Sequence, residues 1–269
     1  MESGIKIAIS GKGGVGKTTI SAVWSELLAQ DGYEVLAIDA DSNPNLALAF
    51  GLGREELPTP LIEMKKLIQE RTGAQPGSVG QYFKLNPKVS DLPETYWHPV
   101  GKAGVKLLVL GGIRQAGRGC ACPESAFLKA LLSHTILQRQ EAIVVDLDAG
   151  VEFLGRASVL GIQVLVIVVE PGSRSIETAN HIAQMAQEMG IAQIAAIANK
   201  ITDPSQVDII QKQLDNIPLL GGLPYSLSLP QADLNGVPAL EADAEIVRAL
   251  TKAKEKLFTL VDKELKIEG

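Results

Sequence analysis

The sequence predicts an α/β fold: a doubly wound, mostly parallel sheet of seven to eight strands with helices on both faces. Short apolar, β-branched runs alternate with longer amphipathic stretches along the chain. The apolar runs are continuous rather than alternating with polar residues, as expected of strands that are covered on both sides. With 269 residues, the chain is long enough for one large domain with a substantial core.

Seven segments are predicted to be strands, and six amphipathic segments between them are predicted to be helices. The predicted strands are 4–10, 34–39, 105–111, 141–147, 164–170, 194–200 and 217–224. The predicted helices are 17–30, 60–71, 125–139, 174–189, 204–214 and 241–262. Gly32 and Gly190 follow two of these helices, as C-terminal glycines do. Residues 72–104 are rich in Gly and Pro without a steady period, and we interpret them as an irregular insert within a single domain, residues 1–269.

Composition and charge exclude several classes of partner. The net charge is −6 and acidic and basic residues are interspersed, which argues against nucleic acid because phosphate-backbone binding needs a concentrated basic surface. The longest apolar stretch, 159–169, is too short to span a bilayer, and the N-terminal residues lack the basic region of a signal peptide. Two cysteines cannot build a secreted disulfide framework. We therefore expect a cytoplasmic protein with neither a membrane nor a nucleic acid as partner.

The strongest motif is a phosphate-binding loop, "GKGGVGKT", between the first predicted strand and the first predicted helix. Its glycines let backbone N–H groups turn towards phosphate oxygens, and the helix N-terminus adds a favourable dipole. Lys17 is expected to reach the β- and γ-phosphates, and the Thr18 hydroxyl to hold Mg²⁺. The residues expected to bind nucleotide here are Gly11, Lys12, Gly13, Gly14, Val15, Gly16, Lys17, Thr18 and Thr19.

Carboxylates follow the predicted second and fourth strands. Ligands of open α/β sheets bind outside the carboxyl ends of the strands. Asp39 and Asp41 share one side of an extended backbone, so both can face the phosphates; the alternative is that they cap the following "SNPN" segment. Asp146 ends the fourth strand, where a carboxylate can hold a magnesium-bound water. Asp148 is a further acid without a firm role.

The segment "IANKITD", residues 197–203, bears on the choice of base. It is similar to a guanine-reading box, but Thr202 stands where guanine needs a carboxylate, and the aspartate comes one residue late. ATP and ADP are therefore favoured over guanine nucleotides. Asn199 can pair with adenine. Lys200, the next residue of the segment, is also expected to contact the nucleotide. Pro224 and Tyr225 are expected to bring backbone contacts to the edge of the base.

Because of Lys12, the loop resembles that of the deviant Walker A ATPases, the group of MinD, ParA and the nitrogenase iron protein, with the signature KGGxGK[ST]. The resemblance implies a P-loop NTPase fold in which Lys12 reaches across a nucleotide-sandwich homodimer to the partner's phosphates. It also implies that Asp41 orients the attacking water, that Asp39 lies near the magnesium shell and that Gly150 lies in a second switch. Lys12, Lys17 and Asp41 are the predicted catalytic residues. We expect an ATPase that is slow without its partner.

Cys120 and Cys122 are the two cysteines of the chain. A C-x-C pair is poorly placed for an intrachain disulfide, and two thiolates are too few for a tetrahedral metal site. If the loops of two subunits meet on a two-fold axis, four thiolates suit Ni²⁺ or Zn²⁺. Arg114 and Arg118 would then lower the pKa of the thiols. The alternative is a pair of small buried apolar residues.

Residues 119–156 look like the C-x-C and switch region of CooC-type proteins, and residues 59–73 and 85–96 look like that family's insert. This resemblance implies an ATP-dependent nickel-insertion chaperone whose client is carbon monoxide dehydrogenase or acetyl-CoA synthase. One departure is Phe153, which follows Glu152 where family members often carry histidine.

Three other functions stay open. The first is an electron carrier with an iron–sulfur cluster, like the nitrogenase iron protein. The second is a regulatory switch like MinD or ParA, although the chain has neither an evident terminal amphipathic membrane helix nor a basic DNA-binding surface. The third, a non-enzymatic nucleotide-binding scaffold, conflicts with the intact Lys17, Thr18, Asp41 and Asp146.

Overall fold

The computed structural model describes residues 4–75, 82–85, 87–111, 126–127, 130–131, 140–150 and 162–265. Eight strands in these ranges form one sheet in the order β3-β4-β2-β5-β1-β6-β7-β8. The strands are β1 Ile5–Gly11, β2 Glu34–Ala40, β3 His98–Val100, β4 Val105–Val109, β5 Glu141–Leu147, β6 Val164–Val169, β7 Gln193–Ile201 and β8 Leu219–Pro224. Neighbouring strands are parallel except β3 and β4. The predicted fold class is confirmed.

Helices of the described ranges connect and cover these strands. They are α1 Lys17–Gln30, α2 Leu46–Ala49, α3 Lys65–Thr72, α4 Leu92–Tyr96, α5 Ser173–Met189, α6 Ser205–Gln213, α7 Ser228–Leu234, α8 Ala239–Ala242 and α9 Ala244–Leu265. Gly32 and Gly190, just beyond α1 and α5, have φ angles of 91° and 93°, so the predicted C-terminal glycines are confirmed. In the described part of the chain, no helix is both long and apolar enough to cross a membrane.

The core has one layer on each face of the sheet because successive strand residues point to opposite sides. On one face, Ile7 of β1 belongs to the cluster that contains Trp24 of α1 and Leu250 of α9. On the other face, Ala8 belongs to the cluster that contains Ile68 of α3 and Ile176 of α5. Burial on both sides explains the continuously apolar strand sequences.

The range 72–104, which the sequence predicts to be an irregular insert, also contains regular structure. Two short elements, α4 and β3, lie inside this range. β3 pairs antiparallel with β4 and is the edge strand of the described sheet. Proline, which lacks an N–H, is tolerated in such a strand because the outer side of an edge strand forms no hydrogen bonds to another strand. The predicted helix over 60–71 is also divided, since a short 3₁₀ helix spans Leu61–Glu63 before α3 begins. α2 and α7 were not predicted.

Candidate nucleotide-binding site

The phosphate-binding loop joins the centre of the sheet to a buried helix. β1 lies between β5 and β6, and the loop runs from its end to Lys17, the first residue of α1. Gly11 has a φ of 144°, and a Cβ there would lie 2.4 Å from the Val168 carbonyl oxygen. Gly16 has a φ of 100°, and its Cβ would lie 2.4 Å from Nδ2 of Asn199. Both positions therefore require glycine, as a loop that folds around phosphate does.

The two lysines of the loop have different surroundings. Lys17 is nearly buried, with 6% of its surface exposed, and its Nζ donates a hydrogen bond to the carbonyl oxygen of Lys12 at 3.4 Å. The Lys12 side chain is 43% exposed, and its Nζ lies 4.0 Å from Oε1 of Glu170. Gly13 and Gly14 between them face open space. Lys17 thus points into its own loop, whereas Lys12 lies at the surface.

Asp146 lies beneath the loop at the end of β5, directly opposite Asp39 of β2 in the strand register. Ser21 donates to its Oδ1 at 3.1 Å, whereas the buried Oδ2 lacks a hydrogen-bond partner among the described residues. Burial and the neighbouring Asp39 raise the pKa of Asp146 to about 7, although contacts with Thr18, Ser21 and Lys17 oppose the rise. An unpartnered buried carboxylate oxygen near the Thr18 hydroxyl fits a bound Mg²⁺ and its water.

Asp39 is fully buried and braces the segment that follows β2. Its Oδ2 accepts a hydrogen bond from the Leu46 amide at 2.8 Å, and its Oδ1 accepts one from the Asp41 amide at 3.2 Å. Burial raises the pKa of Asp39 to about 6 despite these hydrogen bonds. Both oxygens of Asp39 thus accept amides of the segment that follows β2, which is the capping role that the sequence left open. A role near magnesium stays a prediction.

The segments after β2 and β5 are linked by Asp148, the acid that had no predicted role. Its Oδ2 accepts a hydrogen bond from the Ser42 hydroxyl at 2.6 Å, and its Oδ1 accepts one from the Ala149 amide at 2.6 Å. Although burial opposes them, these hydrogen bonds lower the pKa of Asp148. Asp41 lies beside Ser42 and accepts the Asn43 amide at 2.8 Å. The predicted water-orienting acid is thus one residue from this link.

Asn199 and Lys200 of β7 support the loop from below. Asn199 donates from Nδ2 to the Val15 carbonyl at 2.7 Å, and its Oδ1 accepts the Lys200 amide at 2.8 Å. Lys200 donates from Nζ to the Gly14 carbonyl at 2.7 Å and to Oε2 of Glu170 at 3.1 Å. Loop support was not predicted for either residue. Contact of Asn199 with adenine stays a prediction.

The predicted base-edge segment follows β8, which ends at Pro224. The Tyr225 amide already donates to the Ile201 carbonyl at 2.9 Å, and the residue is 52% exposed. A contact from Tyr225 to a base would therefore use its carbonyl oxygen or its ring rather than its amide.

Glu170, which borders the loop and contacts Lys12 and Lys200, was missed by the sequence reasoning. It follows β6 directly, at the same edge of the sheet as the residues that follow β1, β2 and β5. That position was the available signal, since polar residues at the carboxyl ends of parallel strands face a common ligand region.

The predicted thiolate site lies outside the described residues. This applies to Cys120 and Cys122, to Arg114 and Arg118 beside them, and to Glu152 and Phe153. Among the residues that the structure describes, no group of three or more His, Cys, Asp or Glu can hold a metal ion. That Thr18 and Asp146 hold Mg²⁺ together with a nucleotide stays a prediction.

Comparisons with known proteins show the family of the chain. The family described as the CobQ/CobB/MinD/ParA nucleotide binding domain matches residues 6–239. The chain belongs to this family. This membership shows a nucleotide-binding domain and confirms the resemblance to the MinD and ParA group.

Two relatives are similar over most of their length. The chain is 43% identical over 235 residues to the carbon monoxide dehydrogenase accessory protein CooC of Rhodospirillum rubrum, covering 87% of this chain and 88% of that protein. It is 38% identical over 262 residues to an uncharacterized ATP-binding protein of Methanocaldococcus jannaschii, covering 96% of this chain and 98% of that protein.

The structure of the septum site-determining protein MinD from Pyrococcus horikoshii, complexed with Mg-ADP, superposes with a TM-score of 0.68 at 20% identity over 99% of each chain. That likeness shows the fold.

Proposed function

We propose that the protein is an ATP-hydrolysing nickel-insertion chaperone for carbon monoxide dehydrogenase or acetyl-CoA synthase. The 43% identity to a carbon monoxide dehydrogenase accessory protein over most of both chains carries this proposal. The C-x-C pair supports nickel as the cargo, because thiolates are soft ligands that suit this ion.

The described residues support the nucleotide half of the cycle. Lys17 and the loop amides hold the β- and γ-phosphates, and Thr18 and Asp146 hold the accompanying Mg²⁺. Magnesium held by these residues would neutralise negative charge that develops on the phosphates during transfer. Asp41 orients the attacking water. Lys12 of the partner subunit adds the positive charge that an arginine finger supplies in other NTPases.

The metal half of the cycle needs two copies of the chain. Cys120 and Cys122 of each subunit form a four-thiolate site that takes up Ni²⁺, with Zn²⁺ as the competing ion. The hydrogen bond between Ser42 and Asp148 supports coupling between nucleotide hydrolysis and the metal site. It joins the segments that follow β2 and β5, so loss of the γ-phosphate that moves one segment also moves the other. Hydrolysis then opens the dimer and releases the metal to its client.

The test follows subunit association by analytical ultracentrifugation while Ni²⁺ and a non-hydrolysable ATP analogue are added separately and together. Each alone is expected to favour the dimer, and both together to favour it most. Metal content of the dimer is measured for the wild type and for Cys120→Ala. A Cys120→Ala dimer that holds nickel with wild-type stoichiometry and affinity would contradict the shared site.

A second variant separates the two halves of the proposal. Lys12→Ala is expected to lose association driven by the ATP analogue while it keeps its thiolates and therefore association driven by Ni²⁺. The same preparations distinguish the rival functions. Visible brown absorbance and stoichiometric iron would identify an iron–sulfur electron carrier, and association that responds to nucleotide but never to metal would identify a regulatory switch.

A further inference from the structure

One carboxylate, that of Glu170, lies between two lysines at the rim of the phosphate-binding loop. Its Oε1 is 4.0 Å from the Lys12 ammonium, and its Oε2 is 3.1 Å from the Lys200 ammonium. The Glu170 backbone is fixed, because its amide donates to the Ser175 hydroxyl at the start of α5 at 3.1 Å. The Glu170 side chain is 27% exposed, so solvent screens these ion pairs only in part.

The two lysines are held unequally. Lys200 also donates to the Gly14 carbonyl at 2.7 Å, and its backbone has a φ of 60°, which the Asn199 side chain stabilises by accepting the Lys200 amide. For Lys12, the Glu170 carboxylate is the ionic partner among the described residues, and the distance is at the limit of an ion pair. Lys12 can therefore leave while Lys200 continues to neutralise the carboxylate.

A bound triphosphate competes effectively for the Lys12 ammonium. It offers several negative charges and several oxygen acceptors, whereas Glu170 offers one charge that Lys200 already shares. In the proposed function Lys12 engages the partner's triphosphate and not that of its own chain, so in a single chain the contact with Glu170 persists. Only a partner chain that carries its own triphosphate supplies the competing anion.

We propose that Glu170 is a positioning residue that retains Lys12 on its own subunit until the partner's bound triphosphate displaces it. The inference rests on the proposed function, in which Lys12 engages the partner's phosphates. Glu170 then sets the nucleotide concentration at which two subunits join, because each Lys12 must break this contact before the dimer closes.

The experiment measures the concentration of a non-hydrolysable ATP analogue that gives half-maximal association at fixed protein concentration. Glu170→Gln removes the charge and keeps an oxygen that can accept from Lys200. We expect the half-maximal concentration to fall about 3- to 10-fold, as loss of a weak competing ion pair predicts. Glu170→Asp, whose carboxylate is withdrawn from Lys12, should give a smaller shift. Glu255→Gln on α9, an exposed position with the same charge change, is the matched control.

Two further measurements separate positioning from structural support. ADP affinity of the monomer should stay within about twofold of wild type in Glu170→Gln, and a larger loss would overturn the proposal by showing that Glu170 shapes the loop. In a Lys12→Ala background, which loses association driven by the ATP analogue, Glu170→Gln should not restore that association; its return there would also overturn the proposal.

Different results would contradict this inference and the proposed function. A wild-type protein that does not associate with the ATP analogue would contradict the proposed function and the inference together. A wild type that associates, with a half-maximal concentration that Glu170→Gln leaves unchanged or raises, would contradict the inference alone.

Discussion

At the scale of single residues, the buried charge of Asp146 costs stability, and its proposed use is to help hold Mg²⁺ when nucleotide is bound. Its Oδ2 is buried without a hydrogen-bond partner among the described residues. Burial and Asp39 raise its pKa to about 7. The folded protein therefore binds more protons than the unfolded chain between about pH 4 and pH 7, and its stability falls as the pH rises through this window. Above it, the full cost of the buried charge is present.

Asp146→Asn should consequently have two opposite effects. The amide keeps an acceptor for Ser21 and removes the charge, so the free energy of unfolding without nucleotide at pH 8 should rise by about 1–3 kcal/mol. The increase in melting temperature on adding Mg·ADP should shrink, since a ligand of the magnesium shell is lost. Both are measured by thermal unfolding over pH 4–9. Asp208→Asn, exposed on α6, should change neither, and a less stable nucleotide-free Asp146→Asn would contradict the reasoning.

A second residue-scale prediction concerns the link between Ser42 and Asp148. Ser42→Ala removes the hydroxyl that donates to Asp148, so the two segments can move separately. The ATP hydrolysis rate should fall about 3- to 10-fold, the effect of losing one hydrogen bond to a partly exposed charge. ADP affinity should stay near wild type because the loop is untouched. Ser42→Thr keeps a hydroxyl and should retain most of the rate; equal losses in both variants would argue against the link.

At the scale of elements, the strands that are buried on both faces are the ones whose bounds the sequence predicts accurately. β1, β5 and β6 are covered on both faces, so their apolar runs match the observed bounds within one residue. β3 has three residues, one of them Pro99, and it is an edge strand with two exposed positions. Its sequence therefore carries neither an apolar run nor an alternation. The four residues of α2 are too few for a periodic pattern, and their first amide, that of Leu46, donates to the Asp39 carboxylate.

Within the site, too, residues with a local sequence signal were predicted and those that depend on non-local contacts were not. The loop and its acids could be predicted because strand–loop–helix context and motif spacing are local properties. Glu170 was missed: its position directly after a strand is a local signal, but its contact with the loop depends on β6 lying next to β1 in the sheet, a non-local pairing. Its contacts with Lys12 and Lys200 join residues 158 and 30 positions away.

An element-scale prediction follows from the way α1 holds the turn between β3 and β4. The Glu26 carboxylate of α1 is buried and accepts the amides of Lys102 at 3.1 Å and Ala103 at 3.2 Å. It packs so closely that a Cβ on Gly101 would clash with it. Glu26→Gln leaves one acceptor oxygen for two amides, so the free energy of unfolding should fall by about 1–3 kcal/mol.

The same corner supplies the control for Glu26→Gln. Lys102 also forms an ion pair with Glu241 at 2.8 Å, but the two side chains are 82% and 41% exposed. Glu241→Gln should therefore change stability little, because solvent screens the pair. Denaturant unfolding compares the two variants with wild type. An equal effect from both would show that charge at this corner, rather than the buried hydrogen bonds, stabilises it.

At the scale of the whole molecule, the sheet separates the contacts that stabilise the fold from those that bind nucleotide. The carboxyl ends of the strands carry the loop and its acids, whereas the face beneath α1 and α9 is closed by a large apolar cluster. Trp24 of α1 is fully buried in that cluster and donates from Nε1 to the Leu250 carbonyl of α9 at 3.0 Å. This hydrogen bond joins the first and last helices of the described chain.

Trp24→Phe should therefore weaken the fold without changing the site. Loss of the hydrogen bond and of part of the ring should cost about 1–3 kcal/mol and lower the melting temperature by a few degrees. The free energy of unfolding gained on adding Mg·ADP at a fixed concentration should equal that of wild type, since it depends on ligand affinity and concentration. Tyr33→Phe keeps the ring that meets Phe258 and should leave both quantities unchanged. A smaller Mg·ADP effect in Trp24→Phe would mean that α9 transmits strain through α1 to the phosphate-binding loop, so that fold and site are not independent.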